Sequence, residues 1–209
     1  MSTSPVIDKR GLLPRLATMP RVELEFGVGG HKRHGEAIGV DMRDFEGVDL
    51  VGDIWDVLAL IPDRSVDAVY SYHFAEHLPD LSRLVREVHR ILKPGGLMRT
   101  VVPHFSNPYY YSDYTHRSFF GLYTFSYLAE DTLFRRGVPK YLGDTGLVLT
   151  DVQLGFKSTP PFYLRHAFRK VLGLLVNMSH LTQELYEAGW AFWFPCYEVR
   201  YEVRRRPEA

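Results

Sequence analysis

Glu25, Gly27, Gly29, Asp41, Asp53 and His104 fall, in that order, at or just beyond the ends of short apolar runs in a sequence of 209 residues. Carboxylates there can accept hydrogen bonds from ribose hydroxyls or from an adenine amino group. Glycines let a backbone approach a ligand closely, and a histidine can take up a proton near neutral pH. Each residue alone is weak, because a glycine turn or a strand-end Asp is more often plain structure. The ordered set is stronger, since ligands of open α/β sheets bind beyond the carboxyl ends of the strands and these residues should converge there.

The elements that would position them follow from the pattern. "RVELEF" (21–26) alternates apolar residues and stops at glycine, as a strand does. "EAIGVD" ends a second strand on Asp41, "VDLVGDI" a third near Asp53, and "SVDAVYSYH" and "GLMRTVVPH" give a fourth and a fifth. From Leu81, the residues Leu84, Val85, Val88, Ile91 and Leu92 keep helical spacing, with Asp80 as cap and "KPGG" as stop. Strands alternating with helices or short crossovers imply an α/β, Rossmann-like, mainly parallel sheet.

Beyond Phe105 the pattern predicts a loop, a helical segment "FFGLYTFSYLAED", a strand at "LVLTDVQLGF" and a helix over 162–178. A second helix runs to about Phe192. The strict alternation of "YEVRYEV" (197–203) predicts an antiparallel C-terminal strand with one solvated face.

Bulk properties bound the function. Formal net charge is zero, so no nucleic-acid partner is suggested, and the basic run Arg204–Arg206 reads as a solvated tail. A single cysteine, Cys196, excludes an intramolecular disulfide framework and fits a reducing, cytoplasmic setting. The aliphatic run "VLGLLV" is far shorter than the ~20 residues a membrane span needs. Aromatic residues crowd 105–127 and 190–197, where they build either core or pocket walls.

Two nucleotide chemistries fail on named residues. A dinucleotide fingerprint would need glycine where Lys32 stands, and no Gly-Lys-Ser/Thr ending of a P-loop is present. What remains resembles the class I S-adenosylmethionine-dependent methyltransferases, over Glu23 to about Leu128. "ELEFGVGG" is similar to their first motif through Glu25, Gly27 and Gly29. "IGVDM" is similar to the second-strand motif and "VGDI" to the next, while "PDRSVDAVYSYHFAEHLPD" and "EVHRILKPGG" resemble later signatures.

The resemblance implies S-adenosyl-L-methionine as cofactor, with Asp41 on the ribose hydroxyls beside Met42. It further implies Asp53 on the adenine amino group and Ile54 as an apolar wall. It implies one domain over 1–209, with a cofactor half at about 21–104 and substrate-side elements at about 105–195. "VPHFSNPYYYSDYTHRSFF" is similar to segments of methyltransferases associated with sugar and surface-polysaccharide biosynthesis, which implies a hydroxyl of a small, sugar-like acceptor. Tyr114 stands where that subgroup usually has Pro. A non-catalytic binding protein and a membrane-associated protein are the rival classes.

The departure from the family lies between the first two strands. Only seven residues separate Gly30 from Ile38, too few for a crossover helix. An extended return is expected instead, reaching roughly 25 Å at most. Lys32, Arg33 or His34 would then either pair with the cofactor carboxylate or remain solvated. Among nine histidines, His73 and His77 follow the fourth strand, on the cofactor or substrate side. His104 either acts as general base or hydrogen-bonds a loop carbonyl. His116, beside Asp113, either assists it or pins the loop, under an aromatic wall from Tyr109–Tyr111 and Phe119–Tyr127. The spacing of His104, Asp113 and His116 matches no metal motif, so no metal is expected.

Overall fold

Parallel pairing starts at β2 (Glu23–Phe26), which takes β3 (Ile38–Asp41) on one side and β5 (Val66–Tyr72) on the other. The computed structural model describes residues 5–158 and 161–207. It adds β4 (Leu50–Val51) beyond β3 and β6 (Leu92–Pro103) beyond β5, both parallel. β8 (Glu198–Arg205) then pairs antiparallel with both β6 and β7 (Leu147–Gly155). A two-residue strand β1 (Ile7–Asp8), not anticipated from sequence, closes the far edge against β4. The order is β1-β4-β3-β2-β5-β6-β8-β7. The expected α/β, mainly parallel sheet with an antiparallel C-terminal strand is therefore what forms.

The return from β2 to β3 contains turns and no helix across 31–37. Three carboxylates hold it. Glu25, only 2% exposed, accepts from the Arg33 amide at 2.9 Å and the His34 amide at 2.7 Å. Asp41 accepts from the Gly29 amide at 2.9 Å, which fixes the glycine turn beside the end of β3. Asp49, also buried, accepts from the Gly39 amide, Lys32 Nζ and Arg10 Nη1 at 2.9, 2.9 and 3.1 Å. Loop amides that a helix would satisfy internally are thus satisfied by side chains, as buried backbone groups require. The His34 ring stacks on Tyr70 with centroids 3.6 Å apart and completes the plug.

The helices are α1 (Ile54–Leu60), α2 (Leu81–Ile91), α3 (Tyr163–Val176) and α4 (His180–Gly189). In α2 the anticipated stripe of Leu84, Val85, Val88 and Ile91 is fully buried, and Asp80 caps the Arg83 amide. Its C-terminal carbonyls are met by Arg205, whose Nη1 donates to His89 and Leu92 oxygens. Arg206 pairs with Glu130 and Asp144. The basic run is therefore no solvated tail: cations at the end of β8 reach open helix carbonyls and acidic neighbours.

Two other expectations change. The segment from Phe119 is not a helix. It turns at Gly121, whose amide donates to Thr124 Oγ1, and keeps only a short 3-10 helix, Phe125–Tyr127. Lys140 Nζ occupies the Ser126 and Ala129 carbonyls that a longer helix would use. Phe120, Leu122 and Phe125 sink into the main core and wall no pocket, while Phe119 packs against the Tyr110 and Tyr111 rings. α3, by contrast, leaves Leu164, Phe168, Val171 and Leu175 exposed, so its apolar stripe is not core.

Asp49 yields a stability test. Burial alone would raise its pKa, but the Gly39 amide and the Lys32 and Arg10 cations outweigh that and hold it below the usual carboxylate value. A depressed folded-state pKa gives stability that is present above the unfolded value and is lost as pH falls through the folded one. Asp49→Asn should cost about 1.5–3 kcal/mol at pH 7 in chemical denaturation. The gap from wild type should close below about pH 4.

Candidate functional site

The carboxyl ends of β2, β3 and β4 open into a cavity of about 450 Å³. Gly27, Asp41, Met42, Asp53, Ile54 and His73 line it, six of the eight residues expected at a cofactor site. The other two lie behind it: Glu25 on the return-loop amides and Gly29 on Asp41. Phe74 and Trp55 supply apolar walls that sequence reasoning did not single out. At Gly27, with φ +64°, a Cβ would stand 2.6 Å from Phe74 Cδ2, so glycine is what lets the ring close over the turn. Lys32, Arg33 and His34 do not line the cavity. Lys32 is bound to Asp49, His34 Nε2 sits 2.8 Å from the Tyr72 hydroxyl, and the Arg33 guanidinium lies 4.2 Å over the Tyr72 ring. The expected pairing of these cations with a cofactor carboxylate is not provided.

A second cavity, about 230 Å³, adjoins the first, and His73 and His77 line both. It holds Glu76, Asp113, His116 and the Tyr110 and Tyr197 rings. His73, a non-glycine residue at φ +52°, is turned into this junction; such backbone costs about 1–3 kcal/mol and gathers at functional sites. Its Nε2 is 3.4 Å from Glu198 and its Nδ1 3.5 Å from Glu76. The Glu198 carboxylate, with Glu76 second, holds the imidazole protonated, its pKa pushed up to about 9.

The 113–118 loop is sewn to the turn after β5. Arg117 and Ser118 amides donate to the Glu76 carbonyl, and Ser118 Oγ donates to that of Leu78. Asp113 Oδ1 accepts from the Thr115 hydroxyl at 2.6 Å, and Thr115 Oγ1 is 2.9 Å from His77 Nδ1. His116 Nδ1 donates to the Tyr110 carbonyl at 2.9 Å, and its Nε2 is 3.6 Å from Asp113 Oδ2. Asp113 and His116 therefore lie together, on the second cavity. Tyr110 packs against His116 with centroids 4.6 Å apart, while Tyr109 and Tyr111 are exposed.

His104 is elsewhere. It is fully buried and lines neither cavity. The Ser106 amide donates to its Nδ1 at 3.1 Å, so Nδ1 carries the lone pair and Nε2–H donates to Glu187 at 3.0 Å. Both nitrogens are spent, and no basic atom faces a ligand. The role of general base expected for His104 is corrected to a latch between the end of β6 and α4.

Sequence reasoning missed Glu76 and Glu198 as site-forming residues, and Glu187 as the partner that claims His104. Glu76 had a signal, standing with His77 directly after the fourth predicted strand. Glu198 had none, since an alternating strand presents its charges as a solvated face. Only the antiparallel pairing Pro103↔Glu198 brings it to the ligand edge.

Residues 34–100, less than half of the chain, match a family model described as "Methyltransferase domain". A stretch of 36 residues is 50% identical to sterol 24-C-methyltransferase of Aspergillus fumigatus, covering 17% of this chain and 10% of that enzyme. A SAM-dependent methyltransferase from Archaeoglobus fulgidus superposes with TM-score 0.55 at 20% identity, over 93% of this chain and 90% of that one. Phosphoethanolamine N-methyltransferase 2 of Haemonchus contortus, solved with S-adenosyl-L-methionine, gives TM-score 0.52 at 16% identity. That match covers 94% of this chain and 51% of the other. The matched segment is similar to a methyltransferase domain, and the fold is the one seen in the Archaeoglobus and Haemonchus S-adenosylmethionine-dependent enzymes.

The latch geometry sets an expectation for His104→Gln. It should lower stability by about 1–3 kcal/mol, the cost of leaving buried partners unpaired. Any methyl transfer measured should persist within a few-fold in the folded fraction. A loss of turnover of a hundredfold at unchanged stability would return His104 to catalysis.

Proposed function

We propose that this chain transfers a methyl group from S-adenosyl-L-methionine to a hydroxyl of a small, polar, sugar-like acceptor. The observation that carries the proposal is the shared wall of His73 and His77 between the two cavities. A cofactor in the larger one presents its reactive end to an acceptor in the smaller. The residues suit the cofactor: Asp41 and Asp53 offer acceptor oxygens, and Ile54, Trp55 and Phe74 offer apolar faces to a purine. In this assignment Asp41 takes the ribose hydroxyls, Asp53 the adenine amino group, and the Gly27–Gly29 turn the amino-acid end. Glu25 serves indirectly by holding the loop that holds the turn.

When bound, the cofactor supplies a methyl group already activated by its sulfonium. What the chain must add is alignment, exclusion of water and removal of the acceptor's proton. Phe74 and the rings of Tyr110 and Tyr197 wall the junction. Proton removal falls to the Asp113 carboxylate at the cavity edge, with His116 fixed beside it by the Tyr110 carbonyl and its Nε2 3.6 Å from Asp113 Oδ2. The small volume and the lining of carboxylates and imidazoles favour a compact polyol over a large apolar acceptor. Among the described residues no helix is long and apolar enough to cross a membrane.

Asp41→Ala should weaken S-adenosylhomocysteine binding by roughly tenfold to a hundredfold in calorimetry, as expected for about 1.5–3 kcal/mol of lost bonding to a charged group. His116→Ala should leave that affinity within about twofold and reduce transfer to sugar hydroxyls by about a hundredfold or more. Unchanged binding in Asp41→Ala would remove the cofactor assignment. Unchanged turnover in His116→Ala would remove the acceptor-side assignment.

A further inference from the structure

Glu76, His77 and His116 each place one potential metal-ligand atom within 4.8 Å of the other two. Glu76 is 1% exposed and lines the smaller cavity, yet neither of its carboxylate oxygens accepts a hydrogen bond. A buried carboxylate without donors is costly, and such groups are normally paired or bound to a cation. It is ion-paired with His73 Nδ1 at 3.5 Å, a contact too long and poorly aligned to be a hydrogen bond, so its oxygens keep lone pairs open for a further cation.

Each of the two imidazoles keeps one ring nitrogen free. The Thr115 hydroxyl gives its proton to Asp113 Oδ1 at 2.6 Å, so Thr115 Oγ1 can only accept from His77 Nδ1–H at 2.9 Å. That leaves His77 Nε2 with a lone pair. In His116 the Nδ1–H donates to the Tyr110 carbonyl, and Nε2 is again left to bind a proton or a metal. Metal-bound histidines characteristically donate their second ring N–H to a carbonyl or an oxygen anchored by a carboxylate. Both do so here. The Arg117 and Ser118 amides, bound to the Glu76 carbonyl, keep the two ligand-bearing segments in register.

We propose that Glu76, His77 and His116 form a binding site for a divalent first-row transition metal ion, at the junction of the two cavities. Two imidazoles and one carboxylate suit Mn2+, Fe2+, Co2+ or Zn2+ better than Mg2+ or Ca2+, which prefer all-oxygen shells. Three protein ligands leave positions open toward the cavity. The metal's role in turnover, unlike its binding, rests on the proposed methyl transfer. An acceptor hydroxyl entering an open position becomes more acidic and releases its proton to the Asp113 carboxylate at the site's edge.

The test is titration of the chelator-treated, desalted full chain with Co2+, followed by visible absorption and calorimetry. One equivalent should bind with ligand-field bands of a nitrogen–oxygen site. Glu76→Gln and His116→Ala should each weaken binding by at least about tenfold, whereas His31→Ala, on the exposed return loop, should not. Thr115→Val keeps all three ligands but removes the acceptor that fixes His77, and should weaken Co2+ by about tenfold. S-adenosylhomocysteine affinity, measured on every variant, reports folding and the cofactor site separately. Absence of stoichiometric Co2+ binding, or binding that survives both Glu76→Gln and His116→Ala, overturns the site. Co2+ binding without S-adenosylhomocysteine binding would leave the metal site standing and sink the methyl-transfer reading instead.

Discussion

The Glu25 carboxylate, buried at the end of β2 and bonded to the amides of Arg33 and His34, carries the constraint on which the site depends. Parallel strands normally need a crossover of a dozen or more residues, and of the eleven that join β2 to β3 the first four are the glycine turn, leaving seven for the return. Without a helix, the return loop has no internal ladder for its amides. Glu25, Asp41 and Asp49 supply that ladder from outside, and Asp41 and Asp49 also tie one strand end to the next. Removing the helix has therefore not loosened the ligand edge; it has moved the burden onto three carboxylates.

The same economy shapes the acceptor side. β8 enters antiparallel next to β6, so its first residue, Glu198, and the preceding Tyr197 arrive where β6 ends. Glu198 and Glu76 then hold His73 protonated at the junction of the cavities. The Asp113–Thr115–His77 chain and the Tyr110–His116 bond orient two further imidazoles around Glu76. A site with this many mutually fixed polar groups loses little on reorganising, which is the condition for catalysis by positioning.

Most of the cofactor half was legible in the sequence because its determinants are local. Alternation announced β2, a short apolar run ending on Asp41 announced β3, the helical stripe announced α2, and a glycine turn with Asp41 and Asp53 marked the ligand edge. The return without a helix was legible from chain length alone. The acceptor half was less so. His104 follows Pro103 at a strand end, as a base could, but Ser106 and Glu187 claim both its nitrogens, and Glu187 comes from a helix distant in sequence. Phe120 and Phe125 read as pocket wall and are core, because β8 brings Tyr201 against them. Glu198 looked like one charge of a solvated face until pairing with Pro103 placed it. Long-range pairing decides these residues, and no window of sequence contains it.

The most direct test is a crystal structure of the chain with S-adenosylhomocysteine. The account requires the ribose hydroxyls on Asp41, the adenine between Asp53 and Ile54, the homocysteine end over the Gly27–Gly29 turn, and the Glu25 carboxylate still on the Arg33 and His34 amides. An adenosine bound anywhere other than the ends of β2, β3 and β4, or a return loop recast as a helix with Glu25 released, would contradict it.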